Sequence, residues 1–222
     1  MFELSPSLSA GSQLNLGATL EATRGLAHIH LDVDDGNFVH EITFGMDTVE
    51  TVVRNTPVPV DVHLEVLNPM DYVRPILKIG VPAAAAHVEA LPYPSEWLSA
   101  LKVGGCPKRG LAINLSTPVD VLGYYADQLD YVIFVSVEAD REGLPFRPMT
   151  LDKVRHARQI LPANVQLWVD GGVNETNLRD VVMAGADAVV MGRAVFGADD
   201  PVAAYERLVA LGELYRRERD GQ

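Results

Sequence analysis

Histidines and carboxylates of this chain stand at spacings that a β-strand places on one face. A single residue separates His30 from Asp32, and a single residue separates Asp61 from His63. Because side chains alternate across a strand, residues two positions apart point to the same side. Imidazole nitrogens and carboxylate oxygens form a ligand set that holds Zn²⁺, Mn²⁺ or Fe²⁺ and leaves a position open for substrate. These residue types favour a metal centre, an acid/base pair, or both.

A third apolar run, ending Val169-Asp170-Gly171-Gly172, supplies another carboxylate. If the ends of the runs converge in the fold, two histidines and two carboxylates meet there: His30, Asp32, His63 and Asp170. Each signal alone also has a structural explanation, because a single histidine at a strand end is commonly just a hydrogen-bonded residue. However, Asp32, Asp34 and Asp35 are crowded together. Like charges at this spacing cost stability unless a cation neutralises them, which favours the metal.

The elements that must position these side chains follow from hydrophobic periodicity. Short apolar runs predict strands at Phe2–Leu8, His28–Val33, Val60–Glu65, Ala83–Val88, Arg109–Leu115, Tyr131–Val137, Gln166–Val169 and Ala188–Met191. The intervening segments predict helices at Leu14–Thr23, Thr48–Asn55, Met70–Ile79, Ser95–Val103, Val119–Asp127, Thr150–Leu161, Glu175–Ala184 and Pro201–Arg217.

Eight βα repeats in 222 residues predict a (β/α)₈ TIM barrel that forms one domain over residues 1–222. The alternative is an open doubly wound sheet. Its usual glycine-rich turn after the first strand is absent, because Ser5-Pro6-Ser7 stands there. In a barrel, the active site lies at the C-terminal ends of the strands, where the histidines and carboxylates are expected.

The composition restricts the classes of partner. With 18 Lys and Arg against 30 Asp and Glu, the net charge is −12, which argues against nucleic acid and anionic membranes as partners. The chain has one cysteine, Cys106, so it forms no internal disulfide, as suits a reducing compartment. No apolar run reaches the ~18 residues of a membrane span. A cytoplasmic protein is therefore expected.

Several segments, in order from Leu4 to about Leu208, resemble the ribulose-phosphate 3-epimerase family. They are Ser5-Pro6-Ser7-Leu8, residues 30–39 (HLDVDDGNFV), Asp61-Val62-His63-Leu64, His87-Val88-Glu89-Ala90, residues 169–173 (VDGGV) and residues 192–196 (GRAVF). The resemblance implies a barrel of the ribulose-phosphate-binding type. It also implies a metal-dependent epimerase that inverts C3 of a ketose phosphate through an enediolate. The partner would be a small sugar phosphate, and the chain would form a homo-oligomer.

The resemblance further implies roles for individual residues. A divalent metal ion, Zn²⁺ with Mn²⁺ or Fe²⁺ as alternatives, would be held by His30, Asp32, His63 and Asp170. Asp32 and Asp170 would also be the acid/base pair on opposite faces of the substrate. The substrate-binding residues would be Ser7, Gly143, Gly171, Gly172, Gly192 and Arg193. Ser7 is equally suited to a turn, and Arg193, where the family usually has serine, is also suited to pairing with Asp199 or Asp200.

The chain departs from the family pattern in the lid that follows the sixth strand. The glycine-rich lid of the family is replaced by a charged segment in which only Gly143 remains of its glycines. Asp140 and Glu142 would repel a phosphate, whereas Arg141 would attract it.

A second departure lies beneath the substrate, where Asp34 and Glu65 replace methionines of the family. Asp34, Glu65 and Arg141 are therefore predicted to determine specificity, and the substrate is expected to differ from ribulose 5-phosphate. Two other functions stay open. One is a related barrel isomerase or lyase that uses the same enediolate chemistry in specialised metabolism. The other is a catalytically weak homologue that binds a sugar phosphate.

Overall fold

The computed structural model describes residues 1–138 and 145–222. Within them, eight strands form one parallel sheet: β1 Glu3–Ser5, β2 Ile29–Asp34, β3 Val60–Glu65, β4 Ala83–His87, β5 Lys108–Ile113, β6 Tyr131–Val135, β7 Gln166–Asp170 and β8 Ala188–Val190. The strands follow the order β1-β8-β7-β6-β5-β4-β3-β2, and a bridge between Ser7 and His30 brings the two edges together. The sheet is thus a nearly closed barrel, and the predicted (β/α)₈ fold is confirmed.

The helices flank this barrel. They are α1 Leu16–Ala22, α2 Met46–Asn55, α3 Val73–Ile79, α4 Pro94–Val103, α5 Met149–Ile160, α6 Leu178–Met183, α7 Arg193–Phe196 and α8 Pro201–Arg219. The α-helix predicted over Val119–Asp127 is wrong, because Val119–Tyr125 forms a 3₁₀ helix. Its β-branched Val119 and Val121 and its Gly123 are weak α-helix formers. No helix among the described residues is both long and apolar enough to cross a membrane.

Two apolar layers fill the molecule. The larger one lies between the outer face of the barrel and the helices, and includes Leu31, Val62 and Trp97. The smaller one fills the barrel interior, where Tyr131 packs against Trp168 with ring centroids 5.3 Å apart. Alanines of β4, β5 and β8 make room for these two rings. The lower half of the barrel is therefore a packed core, and a ligand can enter only above it, at the C-terminal ends of the strands.

Candidate metal centre and substrate cavity

Strands β2 and β3 carry the polar residues of the site in three successive layers. Their register pairs His30 with Asp61, Asp32 with His63, and Asp34 with Glu65. Because these positions are two residues apart along each strand, all six side chains point to the barrel interior. The first layer is deepest and the third is nearest the open end of the barrel.

The deepest layer fixes the orientation of His30. Its Nδ1 is hydrogen-bonded to Oδ1 of Asp61, and the Ser5 hydroxyl donates to the other oxygen of Asp61 at 2.5 Å. His30 is fully buried and Asp61 is 1% exposed. The Nε2 atom of His30 is thereby directed upward, 2.9 Å from Oδ1 of Asp32 and 3.6 Å from Oδ2 of Asp170. A carboxylate behind a histidine in this way is the usual support of a metal-ligating imidazole.

A second chain of hydrogen bonds fixes His63. Its Nε2 lies 3.0 Å from Nε2 of His87, and Nδ1 of His87 lies 3.1 Å from Oε2 of Glu89. The other oxygen of Glu89 accepts a hydrogen bond from the backbone N–H of Asn114 at 2.8 Å and one from the hydroxyl of Thr117. Donation from His63 to His87 and from His87 to Glu89 leaves the lone pair of His63 Nδ1 directed at the site.

The residues His30, Asp32, His63 and Asp170 fit a divalent metal ion. One ligand atom from each lies within 4.8 Å of the others. Nδ1 of His63 is buried and has no hydrogen-bond partner among the described residues, although it lies 3.6 Å from Asp32 and 3.5 Å from Asp170. An imidazole nitrogen that faces two carboxylates without a good hydrogen bond is suited to a cation between them.

The electrostatics of the cluster also favour positive charge. Burial lowers the pKa of His63, but the contacts with Asp170 and Asp32 outweigh burial and raise that pKa to about 10. Burial likewise lowers the pKa of His30, but Asp32 and Asp61 outweigh burial and hold that pKa well above its usual value. The neighbouring His30 overcomes burial and holds the pKa of Asp32 well below its usual range. Burial raises the pKa of Asp170.

The uppermost layer consists of two adjacent acidic residues. Asp34 is 7% exposed and Glu65 is 9% exposed. Burial, with the negative charges of Glu65 and Asp32, raises the pKa of Asp34 to about 9. Oδ1 of Asp34 is buried and has no hydrogen-bond partner among the described residues. Neither residue belongs to the four-residue metal cluster beneath the pair.

Above these layers lies a cavity of about 790 Å³ at the C-terminal end of the barrel. All the predicted site residues that reach its surface lie on its wall: Ser7, Asp32, Asp34, Glu65, Asp170, Gly171, Gly172, Gly192 and Arg193. Glu41 and Glu138 also line it. The predicted residues Arg141 and Gly143, with Asp140 and Glu142 of the expected lid, lie outside the described residues.

The loops after β7 and β8 approach the cavity through their backbones. Gly171 and Gly172 have φ angles of +103° and +65°, a backbone conformation that residues other than glycine rarely adopt. A Cβ added to Gly192 would lie 2.6 Å from Cβ of Ala10, so this position is sterically restricted to glycine. Arg193 begins α7 immediately afterwards.

Some contributing residues were absent from the predicted site. Ser5, Asp61, His87 and Glu89 support the histidines, and Ser9 donates to Asp32 at 3.2 Å. The two-residue spacing of Asp61 and His63 was a usable signal for Asp61. Only the packing of β3 against β4 shows that His87 touches His63.

The fold and the cluster together define a (β/α)₈ barrel with a candidate metal centre and a substrate cavity at the C-terminal ends of its strands. The profile of the ribulose-phosphate 3 epimerase family matches residues 3–196. The chain therefore belongs to the ribulose-phosphate 3-epimerase family and is an isomerase of the epimerase type.

Relatives in other organisms align over most of their length. The ribulose-phosphate 3-epimerase of Mycobacterium tuberculosis is 32% identical over 208 residues, which is 92% of this chain and 90% of that protein. The enzyme of Aquifex aeolicus is 33% identical over 216 residues, covering 94% of this chain and 96% of the relative. That of Bacillus subtilis is 33% identical over 206 residues, covering 90% and 94%.

More distant solved structures share the fold alone. Orotidine 5'-phosphate decarboxylase from Pyrococcus horikoshii aligns with a TM-score of 0.69 at 14% identity, over 95% of this chain and 99% of that chain. Thiamine phosphate pyrophosphorylase from Pyrococcus furiosus aligns with a TM-score of 0.63 at 18% identity, over 96% of both chains.

Proposed function

We propose that this protein is a metal-dependent epimerase that inverts C3 of a ketose phosphate, with Asp32 and Asp170 as the acid/base pair. One observation carries the proposal. Asp32 on β2 and Asp170 on β7 come from different sides of the cavity, and their carboxylates converge on Nδ1 of His63 at 3.6 and 3.5 Å. Two carboxylates that flank one position are what inversion of a carbon next to a ketone requires.

The residues of this chain would divide the reaction as follows. One carboxylate removes the C3 proton from one face of the substrate, and the other returns a proton to the opposite face. In the reverse direction, Asp32 and Asp170 exchange these roles. The hydroxyl of Ser7, which donates to Oδ2 of Asp32 at 2.7 Å, keeps this carboxylate in a fixed orientation.

The metal would be held by the two histidines and two aspartates of the cluster, and Zn²⁺, Mn²⁺ and Fe²⁺ all suit such a set. When bound, a divalent ion stabilises the negative charge that develops on the substrate oxygens. The supports behind His30 and His63, namely Asp61 and His87, keep the nitrogen atoms in place for it.

The phosphate is proposed to bind at the loops after β7 and β8. Glycine at residues 171, 172 and 192 lets backbone N–H groups approach an anion, and Arg193 adds a guanidinium on the same wall of the cavity. The rest of the wall is acidic, with Asp34, Glu65 and Glu138. This acidity supports a substrate other than ribulose 5-phosphate.

Deuterium exchange tests the reaction type and the substrate together. The metal-loaded protein is incubated in D₂O with a panel of ketose phosphates and free ketoses, and deuterium at C3 is measured by NMR. We expect exchange with at least one ketose phosphate, and loss of about 10³-fold or more in the Asp170→Asn variant, which removes one proton-transfer group. Exchange with ribulose 5-phosphate at the rate of an efficient epimerase would contradict the altered substrate.

The metal is tested separately. We expect about one divalent ion per chain in the purified protein and its loss in the His63→Ala variant, measured by elemental analysis. His156→Ala is the matched control, because His156 lies on the exposed surface of α5 beside Asp120. A His63→Ala variant with full metal content and activity would refute the proposed centre.

A further inference from the structure

The acidic pair formed by Asp34 and Glu65 is unexplained by the metal centre or by proton transfer. The two residues are cross-strand neighbours at the C-terminal ends of β2 and β3, and both line the cavity. Like charges directly opposite each other on neighbouring strands destabilise a sheet. Burial and this repulsion together raise the pKa of Asp34, and a cationic group beside the pair would offset the repulsion.

Within the described residues, His87 and His63 stabilise the negative charge of Glu65. Asp34 instead faces the negative charges of Glu65 and Asp32. Oδ1 of Asp34 is buried, and it has no hydrogen-bond partner among residues 1–138 and 145–222. Glu65 approaches Nε2 of His87 at 3.4 Å. That nitrogen is already paired with His63 at 3.0 Å, while Nδ1 of His87 is paired with Glu89. Both side chains line the cavity, where a ligand can reach their carboxyl groups.

A second metal ion is the first candidate for this ligand, since His63, Glu65 and His87 lie close enough to share one. Such an ion needs the lone pair of His87 Nε2. In the arrangement that frees Nδ1 of His63 for the metal centre, the N–H of His63 donates to that lone pair. A second ion would thus disrupt the support of the first.

A substrate group with donors and positive charge fits better. A hydroxyl group donates one hydrogen bond and carries no charge, so it does not offset the repulsion between the two carboxyl groups. An ammonium group donates three hydrogen bonds and carries one positive charge. It matches two adjacent carboxylates that offer several acceptor oxygens.

The position of the pair indicates which end of the substrate it meets. In a ring of eight strands, β3 lies opposite β7, so Glu65 faces the wall that carries Gly171 and Gly172. Under the proposed function, the phosphate binds at that opposite wall and the reacting carbon lies between Asp32 and Asp170. The pair then meets the end of the sugar that is remote from the phosphate.

We infer that the substrate is an aminodeoxyketose phosphate whose ammonium group, at the carbon end remote from the phosphate, binds between Asp34 and Glu65. This inference rests on the proposed function and names the substrate class of that site. Asp34 and Glu65 are then residues that determine specificity and take no part in proton transfer.

The test compares two substrates that differ in one group, 1-amino-1-deoxyribulose 5-phosphate and ribulose 5-phosphate. The metal-loaded protein is assayed for deuterium exchange at C3 with each, and binding of each is measured by calorimetry. The variants are the double substitution Asp34→Asn with Glu65→Gln, and Glu206→Gln as a control that removes one charge from the exposed face of α8, outside the cavity. Metal content is measured for every variant.

We expect kcat/KM for the amino compound to exceed that for ribulose 5-phosphate at least tenfold. The double variant should reduce this ratio at least tenfold, while Glu206→Gln should leave it unchanged. Exchange with both compounds at a ratio of one or below, or an equal ratio in the double variant, would overturn the inference and leave the epimerase function standing.

If neither compound exchanges deuterium, the proposed function is the part that fails for these substrates, and binding decides the inference. At least tenfold tighter binding of the amino compound, lost in the double variant, supports it. Equal affinity for the two compounds overturns it.

Discussion

Single hydroxyl groups decide how the carboxylate of Asp32 is oriented. Oδ2 of Asp32 accepts hydrogen bonds from Ser7 at 2.7 Å and from Ser9 at 3.2 Å, while Oδ1 contacts His30 at 2.9 Å. Both oxygens are thus held before any substrate binds. A carboxylate that must take a proton from a weakly acidic carbon benefits from such restraint, because misplacement directly raises the barrier.

Replacing Ser7 by alanine tests this restraint. We expect Ser7→Ala to lower kcat about tenfold with little change in KM, because one hydrogen bond to a charged group contributes about 1.5–3 kcal/mol, part of which water replaces. Ser9→Ala is the matched control and should have a smaller effect, since its bond to the same oxygen is longer. A change in KM alone would instead assign Ser7 a direct contact with substrate. Steady-state kinetics at equal metal loading separates the two results.

The loop after β7 depends on a backbone conformation that only glycine tolerates well. Gly171 has a φ of +103°, and a Cβ there would lie 2.7 Å from Cγ2 of Val137 in the loop after β6. Ser136, at the start of the loop after β6, is hydrogen-bonded to the end of β7, because its hydroxyl donates to the carbonyl of Asp170 at 2.7 Å. A change at Gly171 therefore affects both the loop and the neighbouring carboxylate.

We expect Gly171→Ala to lower the free energy of unfolding by about 1–3 kcal/mol through strain and the close contact with Val137. Gly17→Ala is the control, because Gly17 lies within α1 and its added Cβ meets no atom within 4 Å. That variant should be neutral or slightly more stable. Urea denaturation of both variants measures the difference, and equal stability would show that the loop adjusts without strain.

The short 3₁₀ helix Val88–Ala90 that follows β4 places a carboxylate behind the His63–His87 pair. Burial raises the pKa of Glu89, but hydrogen bonds from His87, Thr117 and the backbone of Asn114 outweigh it and lower the pKa to about 2. Lys153 of α5 contributes a positive charge nearby. The folded protein thus favours the ionised form of Glu89 more strongly than the unfolded chain does.

This difference makes stability depend on pH in a defined direction. Because the folded pKa of Glu89 is lower than the unfolded value of about 4.5, its contribution is present above pH 4.5 and is lost as the pH falls towards 2. Allowing for partial exposure, we expect Glu89→Gln to cost about 1–2 kcal/mol at pH 6 and progressively less below pH 4.5. Urea denaturation of the metal-free protein between pH 3 and 6 measures this, and parallel curves for both proteins would contradict it.

The whole molecule carries a net charge of −12, yet it belongs to a family whose named substrates are phosphorylated. The phosphate is proposed to bind near backbone N–H groups and Arg193, while the surrounding surface is acidic. Long-range repulsion acts on the approach of the anion, and local contacts act on the bound state. These two effects respond differently to salt.

We expect kcat/KM for a ketose phosphate to rise about two- to threefold between about 20 mM and 200 mM ionic strength, because salt screens the repulsion. The matched unphosphorylated ketose should show no such rise. Stopped-flow or initial-rate measurements at constant metal concentration test this. A fall with salt would show that the positive groups of the cavity dominate the approach as well.

Much of the architecture could be predicted because local patterns report it directly. The strand Val60–Glu65 was predicted with the bounds that the structure has, and the others differ by a few residues at their ends. The 3₁₀ helix Val119–Tyr125 was missed, because periodicity alone does not distinguish it from an α-helix. Strand ends such as Leu8 were overestimated, because apolar residues also cover the loops beside a buried core.

The sequence by itself predicted the barrel from strand periodicity, the family from segments that resemble it, and four candidate ligands, because these patterns are local properties. Only the tertiary structure decided what stands behind and beside those ligands. The contact between His63 and His87 joins residues 24 positions apart, and the pairing of Asp34 with Glu65 depends on the register of β2 and β3. Such contacts arise from closing the barrel, and closure is a property of all eight strands together.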